Sequence, residues 1–494
     1  MSAGVSMPAR ATTLGELRAN QLPPLVLTGA RAQIRAMNAT AGRYIVVLDD
    51  DPTGSQVVHG VPVLTSWEDD DLRWAFGHPA RMFFILTNTR SLGARAAGDL
   101  LQALDSRIHR VSEEIGADVV LVSRSDSTLR GHFPLETDIM QQAANRRGRP
   151  YDAVVLAPCY LDAGRVTVND VHYARAGDVY VPVGQTDYAT DAAFGYVSSS
   201  LTSWVEEKSG SMVASADVLS LSLHDIRSGG VERITGLLLA ARDGAVVVVN
   251  ALDESDLEVV VLALAAAEAT GWRAICRVGP SFVPVRAGMD RRPPLDAAEI
   301  FSGTVRRGHG LIVVGSHVEL TTRQLGALLE LPGVEAVELD VTALLDRATE
   351  RAERDRCADA LTLAASRGDA VLMTSRRRVE FKTGESSLEL SRSVSTALVD
   401  LTRHVVRTVD LTWVVAKGGI TSHDIATDGL HVRRATVLGQ LFPGIVSVWR
   451  TEPSNDETDD DRLVGLPYVV FAGNVGDEST LRETVRALRR SERA

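Results

Sequence analysis

Short continuous apolar runs alternate with helix-length amphipathic stretches along most of this chain. The runs Tyr44–Leu48, Met82–Thr87, Asp118–Ser123, Ala153–Ala157 and Ala245–Asn250 predict strands. Ala94–Glu114 and Ser255–Thr270 predict helices between them. An apolar run without polar alternation suits a strand buried on both faces, as in a parallel sheet covered by helices. The pattern breaks between Val278 and His309, where Gly279-Pro280, Pro284 and Arg291-Arg292-Pro293-Pro294 suit a boundary. It resumes with Gly310–Val314, Ala370–Thr374, Leu411–Ala416 and Tyr468–Phe471. The expected class is therefore α/β, with two domains that are each a mainly parallel sheet flanked by helices and an active site in the cleft between them. The expected borders are an N-terminal arm over 1–43, a first domain over 44–290, a hinge over 291–309 and a second domain over 310–494.

Composition narrows the class. A chain of 494 residues is long for one core, which agrees with two domains. The net charge of −12 argues against attraction to nucleic acid or an anionic membrane surface. No apolar stretch is long enough to span a bilayer, and the N-terminal stretch with Arg10, Arg18, Arg31 and Arg35 lacks the apolar core of a signal peptide. Cys159, Cys276 and Cys357 are odd in number and widely separated, which predicts reduced thiols and a cytoplasmic protein. The sequence leaves the oligomeric state open, a homodimer being one option, and it names no metal ligands.

Polar clusters follow the predicted strands of the first half. Tyr44–Leu48 runs into Asp49-Asp50-Asp51-Pro52-Thr53-Gly54, and Met82–Thr87 leads to Asn88-Thr89-Arg90. Asp118–Ser123 leads to Arg124-Ser125-Asp126-Ser127-Thr128-Leu129-Arg130-Gly131-His132. Ligands of open parallel sheets bind beyond the carboxyl ends of strands, so these clusters are expected to share one site. Arg90, Arg124 and Arg130 offer donors to a carboxylate, while Asp50, Asp51 and Asp126 accept from hydroxyls. A hydroxylated carboxylic acid satisfies both. A further arginine, Arg165, follows strand Ala153–Ala157, and His132 and His172 are candidate bases or metal ligands.

The second half carries glycine turns. Lys417, one of three lysines, precedes Gly418-Gly419-Ile420-Thr421-Ser422 between a predicted strand and a predicted helix. Gly315-Ser316 follows Leu311–Val314, with Ser316 a candidate N-cap or phosphate contact. Ala472-Gly473-Asn474-Val475-Gly476 follows Tyr468–Phe471. Such turns let backbone N–H groups approach an anion, aided by the helix dipole. Neither a Walker loop nor a dinucleotide fingerprint is present.

Asp50-Asp51-Pro52-Thr53-Gly54, Ser125-Asp126-Ser127-Thr128-Leu129-Arg130-Gly131, Lys417-Gly418-Gly419-Ile420-Thr421 and Ala472-Gly473-Asn474-Val475-Gly476 together resemble the four-carbon acid sugar kinase family. The resemblance runs from about Tyr44 to the C-terminal helix. It implies an N-terminal domain that holds a sugar acid such as threonate, erythronate or an oxo-tetronate, and a C-terminal domain that holds ATP with Mg²⁺. It implies Asp51, Arg90 and the segment Arg124 to Arg130, with Ser125, Asp126 and Ser127, at the substrate, to which the polar clusters add Asp50 and Arg165. On the nucleotide it implies Ser316, Gly418, Gly419, Ile420, Thr421 and Gly473, to which the glycine turns add Lys417, Asn474 and Gly476. Arg124 stands where many members have Lys, Gln56 where an acidic residue is frequent, and Ile420 where Glu is frequent. These departures leave the reaction class standing and the particular acid open.

The expected reaction is phosphoryl transfer from ATP to the terminal hydroxyl, with Asp51 or Asp126 as the aspartate that orients or deprotonates it. Two other readings are a non-catalytic sugar-acid sensor, which needs no nucleotide turn, and an ATP-dependent ligase activating a carboxylate.

Overall fold

The structure is a computed structural model that describes residues 10–302, 306–376, 384–442, 444–455, 460–473 and 475–490. Asn474, expected at the nucleotide, lies outside the described residues. The chain forms two compact units, Met1–Gly54 with Leu72–Arg291, and Ser55–Asp71 with Arg292–Ala494.

The strands, in chain order, are β1 (Arg43–Asp49), β2 (Val61–Leu64), β3 (Met82–Leu86), β4 (Asp118–Arg124), β5 (Ala153–Ala157), β6 (Arg165–Val168), β7 (Val171–Ala176), β8 (Val179–Pro182), β9 (Leu219–Leu221), β10 (Ala245–Val249) and β11 (Ala274–Val278). They continue as β12 (His309–Val314), β13 (Val334–Leu339), β14 (Asp369–Thr374), β15 (Leu411–Lys417), β16 (Arg434–Phe442), β17 (Val446–Glu452) and β18 (Pro467–Phe471).

In the first unit the order β3-β1-β4-β11-β5-β10-β9 is parallel at every pairing. Ile45 to Leu48 are all buried, as an apolar run covered on both faces requires. The helix Ala94–Ile115 buries Ala97, Leu101, Leu104, Ile108 and Val111, a three-four spacing that puts one stripe on the sheet, and Gly116 ends it at φ 68°. Strands β6, β7 and β8 form a separate antiparallel sheet. The expected arm packs on this unit. Thr12 bridges Tyr180, Arg31 pairs with Glu254 at 2.8 Å and Glu258 at 2.7 Å, and Arg43 pairs with Glu268 at 3.0 Å.

The second unit has the order β13-β14-β12-β15-β18 in parallel, followed by antiparallel β17, β16 and β2. Its core gathers Ile312, Val314, Trp413, Val415, Val469 and Phe471 with Leu325, Leu328, Leu481 and Val485 from flanking helices.

The compact units part at Arg291 and Arg292, and Ser55–Asp71 belongs to the second. Ser55–Asp71 leaves the first unit because β2 pairs with β16, Trp449 Nε1 donates to Ser55 Oγ at 2.9 Å, and buried Asp71 accepts from Arg433 and Arg434 at 2.8 and 2.7 Å. The Pro- and Arg-rich stretch is also more than a connector. Asp296 and Glu299 close a capping box on the helix Ala297–Ile300, and Leu295 and Ile300 are buried in the second core. Among the described residues no helix is long and apolar enough to cross a membrane, and all three cysteines are free and buried.

Candidate active site

In the first unit the sheet register brings the expected clusters together. Asp49 stands opposite Leu86 on β3 and Arg124 on β4, and Arg124 stands opposite Val278 on β11. The ladder extends past the strands, with Thr87 N–H donating to Asp49 O at 2.9 Å and Ser125 N–H to Val278 O at 3.0 Å. The segments carrying Asp50, Asp51, Arg90 and Ser125–Arg130 therefore leave adjacent strand ends on one edge.

Their side chains form a charge network. Arg90 pairs with Asp51 and lies 3.5 Å from Asp126, which accepts from Arg130 Nε at 2.8 Å and from the Thr128 hydroxyl. Burial alone would raise the Asp126 pKa, but Arg90 and Arg130 outweigh it and hold the carboxyl well below its usual range. Arg124 donates to Asp49 at 2.7 Å and lies 3.7 Å from Asp50. Gly54 packs against that pair, since a Cβ there would overlap the Asp49 carboxylate and the Arg124 guanidinium.

Both carboxylate oxygens of Asp50 are buried and accept no hydrogen bond. Burial pushes its pKa up to about 6, against the pull of Arg90 and Arg124. Burial pushes the pKa of Asp49 up to about 6 as well, but Asp49 accepts a hydrogen bond from Arg124 and Asp50 differs from it there. Gly131, at φ 114°, allows this approach, because a Cβ there would lie 3.1 Å from Asp50 Oδ2 and 3.2 Å from Arg277 Nη2.

The pattern of apolar runs did not mark several supporting residues. Buried Arg277 on β11 donates to Arg130 O at 3.3 Å and lies over the rings of Phe133 and Trp204. An arginine inside Ala-Ile-Cys-Arg-Val is the signal that could have found it. Glu136 accepts from Thr89 and Ser123 hydroxyls at 3.0 and 3.1 Å. Arg165 reaches the cluster through Tyr188, whose ring lies under both Arg130 and Arg165.

His172 is engaged through both ring nitrogens and His132 through one. His172 is fully buried, with Nε2 2.8 Å from Ser127 O and Nδ1 2.9 Å from Thr167 Oγ1. Burial lowers its pKa to about 4, so the neutral ring donates to Ser127 and accepts from Thr167. With Tyr196 OH donating to Thr128 O at 2.6 Å, it pins the backbone of the polar segment. His132 Nε2 faces the carbonyls of Thr89 and Leu92, each at 3.0 Å.

In the second unit Val314 stands opposite Met373 and Lys417, and Lys417 opposite Phe471, so β14, β12, β15 and β18 end in line. Three turns meet at Ser316. A Cβ on Gly473 would lie 2.8 Å from Ser316 Oγ and 3.9 Å from Gly418 Cα, and one on Gly418 would lie 3.1 Å from Thr421 Oγ1. A Cβ on Gly315 would overlap the Thr421 hydroxyl. Gly418 has φ 123° and opens the helix Gly419–Asp424. Thr321 Oγ1 ties the turns by contacting Ser316 Oγ at 3.2 Å and Gly473 O at 2.9 Å.

Several residues expected at the nucleotide also have partners within the protein. Lys417 does not present its amine to solvent. Its Nζ donates to Ala472 O at 2.9 Å and Gly473 O at 3.3 Å over the Phe471 ring, and burial lowers its pKa to about 7. Ser316 is not the helix N-cap, which is Val318, although Ser316 Oγ accepts from Val318 N–H at 3.4 Å. Ile420 is 65% exposed. Gly476, at φ 79°, packs against Thr480 at the start of the last helix, and Gln324 holds its turn through Val475 O and Asp477 O. Among the described residues no group of three His, Cys, Asp or Glu is placed to hold a metal ion.

One unit thus gathers arginines and aspartates at parallel strand ends, and the other gathers glycine turns, the arrangement of a sugar-binding domain joined to a nucleotide-binding domain. Family models of those two descriptions match residues 45–286 (sugar-binding N-terminal domain) and 311–481 (nucleotide-binding C-terminal domain). The chain belongs to the four-carbon acid sugar kinase family. It is 25% identical over 448 residues to a D-threonate kinase of Salmonella typhimurium, covering 88% of this chain and 96% of that one. It is 29% identical over 178 residues to a 3-oxo-isoapionate kinase of Paraburkholderia graminis, covering 33% and 36% of the two chains. A solved Salmonella typhimurium structure, described as that of a candidate tRNA synthase, superposes with TM-score 0.65 at 16% identity over 91% of this chain and 99% of its own. A Haemophilus influenzae structure gives 0.61 at 15% over 90% and 99%. At these identities the two structures speak for the fold alone.

Proposed function

We propose that this protein transfers the γ-phosphoryl group of ATP to the terminal hydroxyl of a small sugar acid of about four carbons. The observation that carries this reading is the presence in one chain of two complementary sites: a cluster of arginines and aspartates at the strand ends of the first unit, and three backbone turns converging on Ser316 in the second. The full-length likeness to a D-threonate kinase supports the same class of acid.

Arg90 and Arg130 retain partial exposure and are the arginines able to turn donors toward a carboxylate, while Arg124 is committed to Asp49. Of the aspartates, Asp126 is held ionised by Arg90 and Arg130, which makes it a poor proton acceptor, and Asp51 is paired with Arg90. Asp49 and Asp50 both have a raised proton affinity, but Asp49 is held by Arg124, whereas both Asp50 oxygens are without hydrogen bonds, so Asp50 is the aspartate suited to accept the hydroxyl proton. The hydroxyl oxygen attacks the γ-phosphorus, its proton passes to Asp50, and ADP leaves with the bridging oxygen. In the second unit the backbone N–H groups of the Gly315–Ser316, Gly418–Thr421 and Gly473 turns hold the phosphates. Mg²⁺ would come with the nucleotide and neutralise phosphate charge.

The test is a coupled ADP-release screen over four-carbon sugar acids and their oxo derivatives, with phosphorus NMR of the product. A stable phosphate ester is expected. An acyl-linked product would make the protein a carboxylate-activating ligase, and no ADP release with any acid would sink the kinase reading.

A further inference from the structure

Three backbone turns around Ser316 leave a polyphosphate short of a cation, because the Lys417 amine is taken up by the carbonyls of Ala472 and Gly473. Another cation stands at the same place. Arg376 lies two residues beyond the end of β14, the strand paired with β12, and its Nη2 donates to the backbone oxygen of Ser316. Ser316 is the residue against which Gly418 and Gly473 pack, so the guanidinium is anchored to the point where the turns meet.

The rest of that guanidinium has no hydrogen-bond partner. Nε and Nη1 are buried and donate to nothing, and the Glu338 carboxylate pulls on the guanidinium through space without accepting a hydrogen bond from it. Buried donors without acceptors are rare in folded proteins, and a guanidinium remains protonated even where burial lowers its pKa, as it does here. A group that brings its own oxygens would satisfy them. We infer that Arg376 is a phosphate-binding residue of the nucleotide site, donating to oxygens of the ATP polyphosphate while Lys417 shapes the neighbouring turn. The inference deepens the kinase reading and rests on it.

The two can fail separately. The experiment is calorimetric titration of the full chain with ATP, ADP and adenosine, for the wild type, Arg376→Gln and Arg376→Lys, alongside steady-state KM for ATP. A wild type that binds no ATP would remove the kinase reading and this inference with it. With wild-type binding established, Arg376→Gln should weaken ATP about ten- to hundredfold, the size of a lost hydrogen bond to a charged group. The loss should shrink from ATP to ADP and vanish for adenosine, and Arg376→Lys should recover part of it. ATP affinity within about twofold of wild type overturns the inference. So does an equal loss for ATP and adenosine, because that would assign Arg376 only to holding the Ser316 turn. A change in KM for the acid at unchanged ATP affinity would count against it equally.

Discussion

In the first unit Arg90, Asp51, Asp126 and Arg130 hold one another through charge, whereas in the second Gly315, Gly418 and Gly473 meet around Ser316 through the absence of side chains. The charged cluster is tuned by which carboxylate each guanidinium reaches, so changes there should alter proton affinity and acid binding while the fold survives. The glycine turns are tuned by clearance of a few tenths of an ångström, so changes there should act on nucleotide binding and local strain together. Each site can be broken in a way that leaves the other readable.

The largest effect is expected at Asp50. Asp50→Asn should lower kcat by about 10²- to 10⁴-fold, the usual worth of a positioned general base, while ATP affinity stays at its wild-type value. In the wild type kcat/KM should rise with pH through about 6 as this carboxyl ionises, and the variant should lose that limb. Stability offers an independent reading. Because the folded carboxyl binds its proton more tightly than the ordinary 3.8, its contribution to stability is full below about pH 4 and is lost as pH rises through about 6. Asp50→Asn should flatten that decline. Near-normal turnover in the variant would return the choice to Asp51 and Asp126.

Gly418→Ala should come next. At φ 123° a side chain is strained by roughly 1–3 kcal/mol, and the new Cβ would press on Thr421 Oγ1 at 3.1 Å. ATP affinity should fall by about tenfold or more, with acid binding unchanged. A loss of acid affinity with ATP binding intact would contradict the division of labour between the units.

Arg90→Lys probes the charged side more gently. A lysine cannot span Asp51 and Asp126 with a planar fork, so KM for the acid should rise by roughly tenfold and kcat by little. Titration of Asp126 followed by NMR should move upward, since Arg90 is the first of the charges that hold it down. An unmoved Asp126 would mean that Arg130 alone sets its ionisation.

The same contrast explains what the sequence makes legible. Strands β1, β3, β4, β5, β10, β12, β14, β15 and β18 are continuous apolar runs and stand out. Strand β11 is hidden by Arg277, and β16 and β17 by Arg434, Thr436, Gln440, Arg450 and Glu452, which alternate with apolar residues in antiparallel pairing. Ser55–Asp71 reads as part of the first domain because nothing local shows that β2 pairs with a strand some 370 residues later. At the site, charged side chains at strand ends are visible as a cluster. Which aspartate Arg90 reaches, and which is left without hydrogen bonds, depends on side-chain reach across three strands. Arg376 carries no motif, and its role emerges only from its contact with Ser316.

Lys417 is the sharpest divergence between a motif and its structure, and its replacement should have the smallest effect at neutral pH. A lysine beside paired glycines suggests a phosphate ligand, yet its amine is buried against Phe471 and donates to two carbonyls. Lys417→Met removes the cost of burying a cation and also leaves those carbonyls without a donor, two terms of similar size and opposite sign. Near pH 7 the melting temperature should therefore change little. The folded amine loses its proton near 7 and the unfolded one only near 10.5, so the unfolded chain binds the extra proton in between. The stability this lysine contributes is present above about pH 10.5 and is lost as pH falls through about 7. Melting curves of wild type and Lys417→Met should accordingly diverge in favour of the wild type between pH 7 and 9.5. Parallel curves, or a large loss of ATP affinity at unchanged melting temperature, would mean that the amine faces the nucleotide after all and that the second site also depends on a charged side chain from β15.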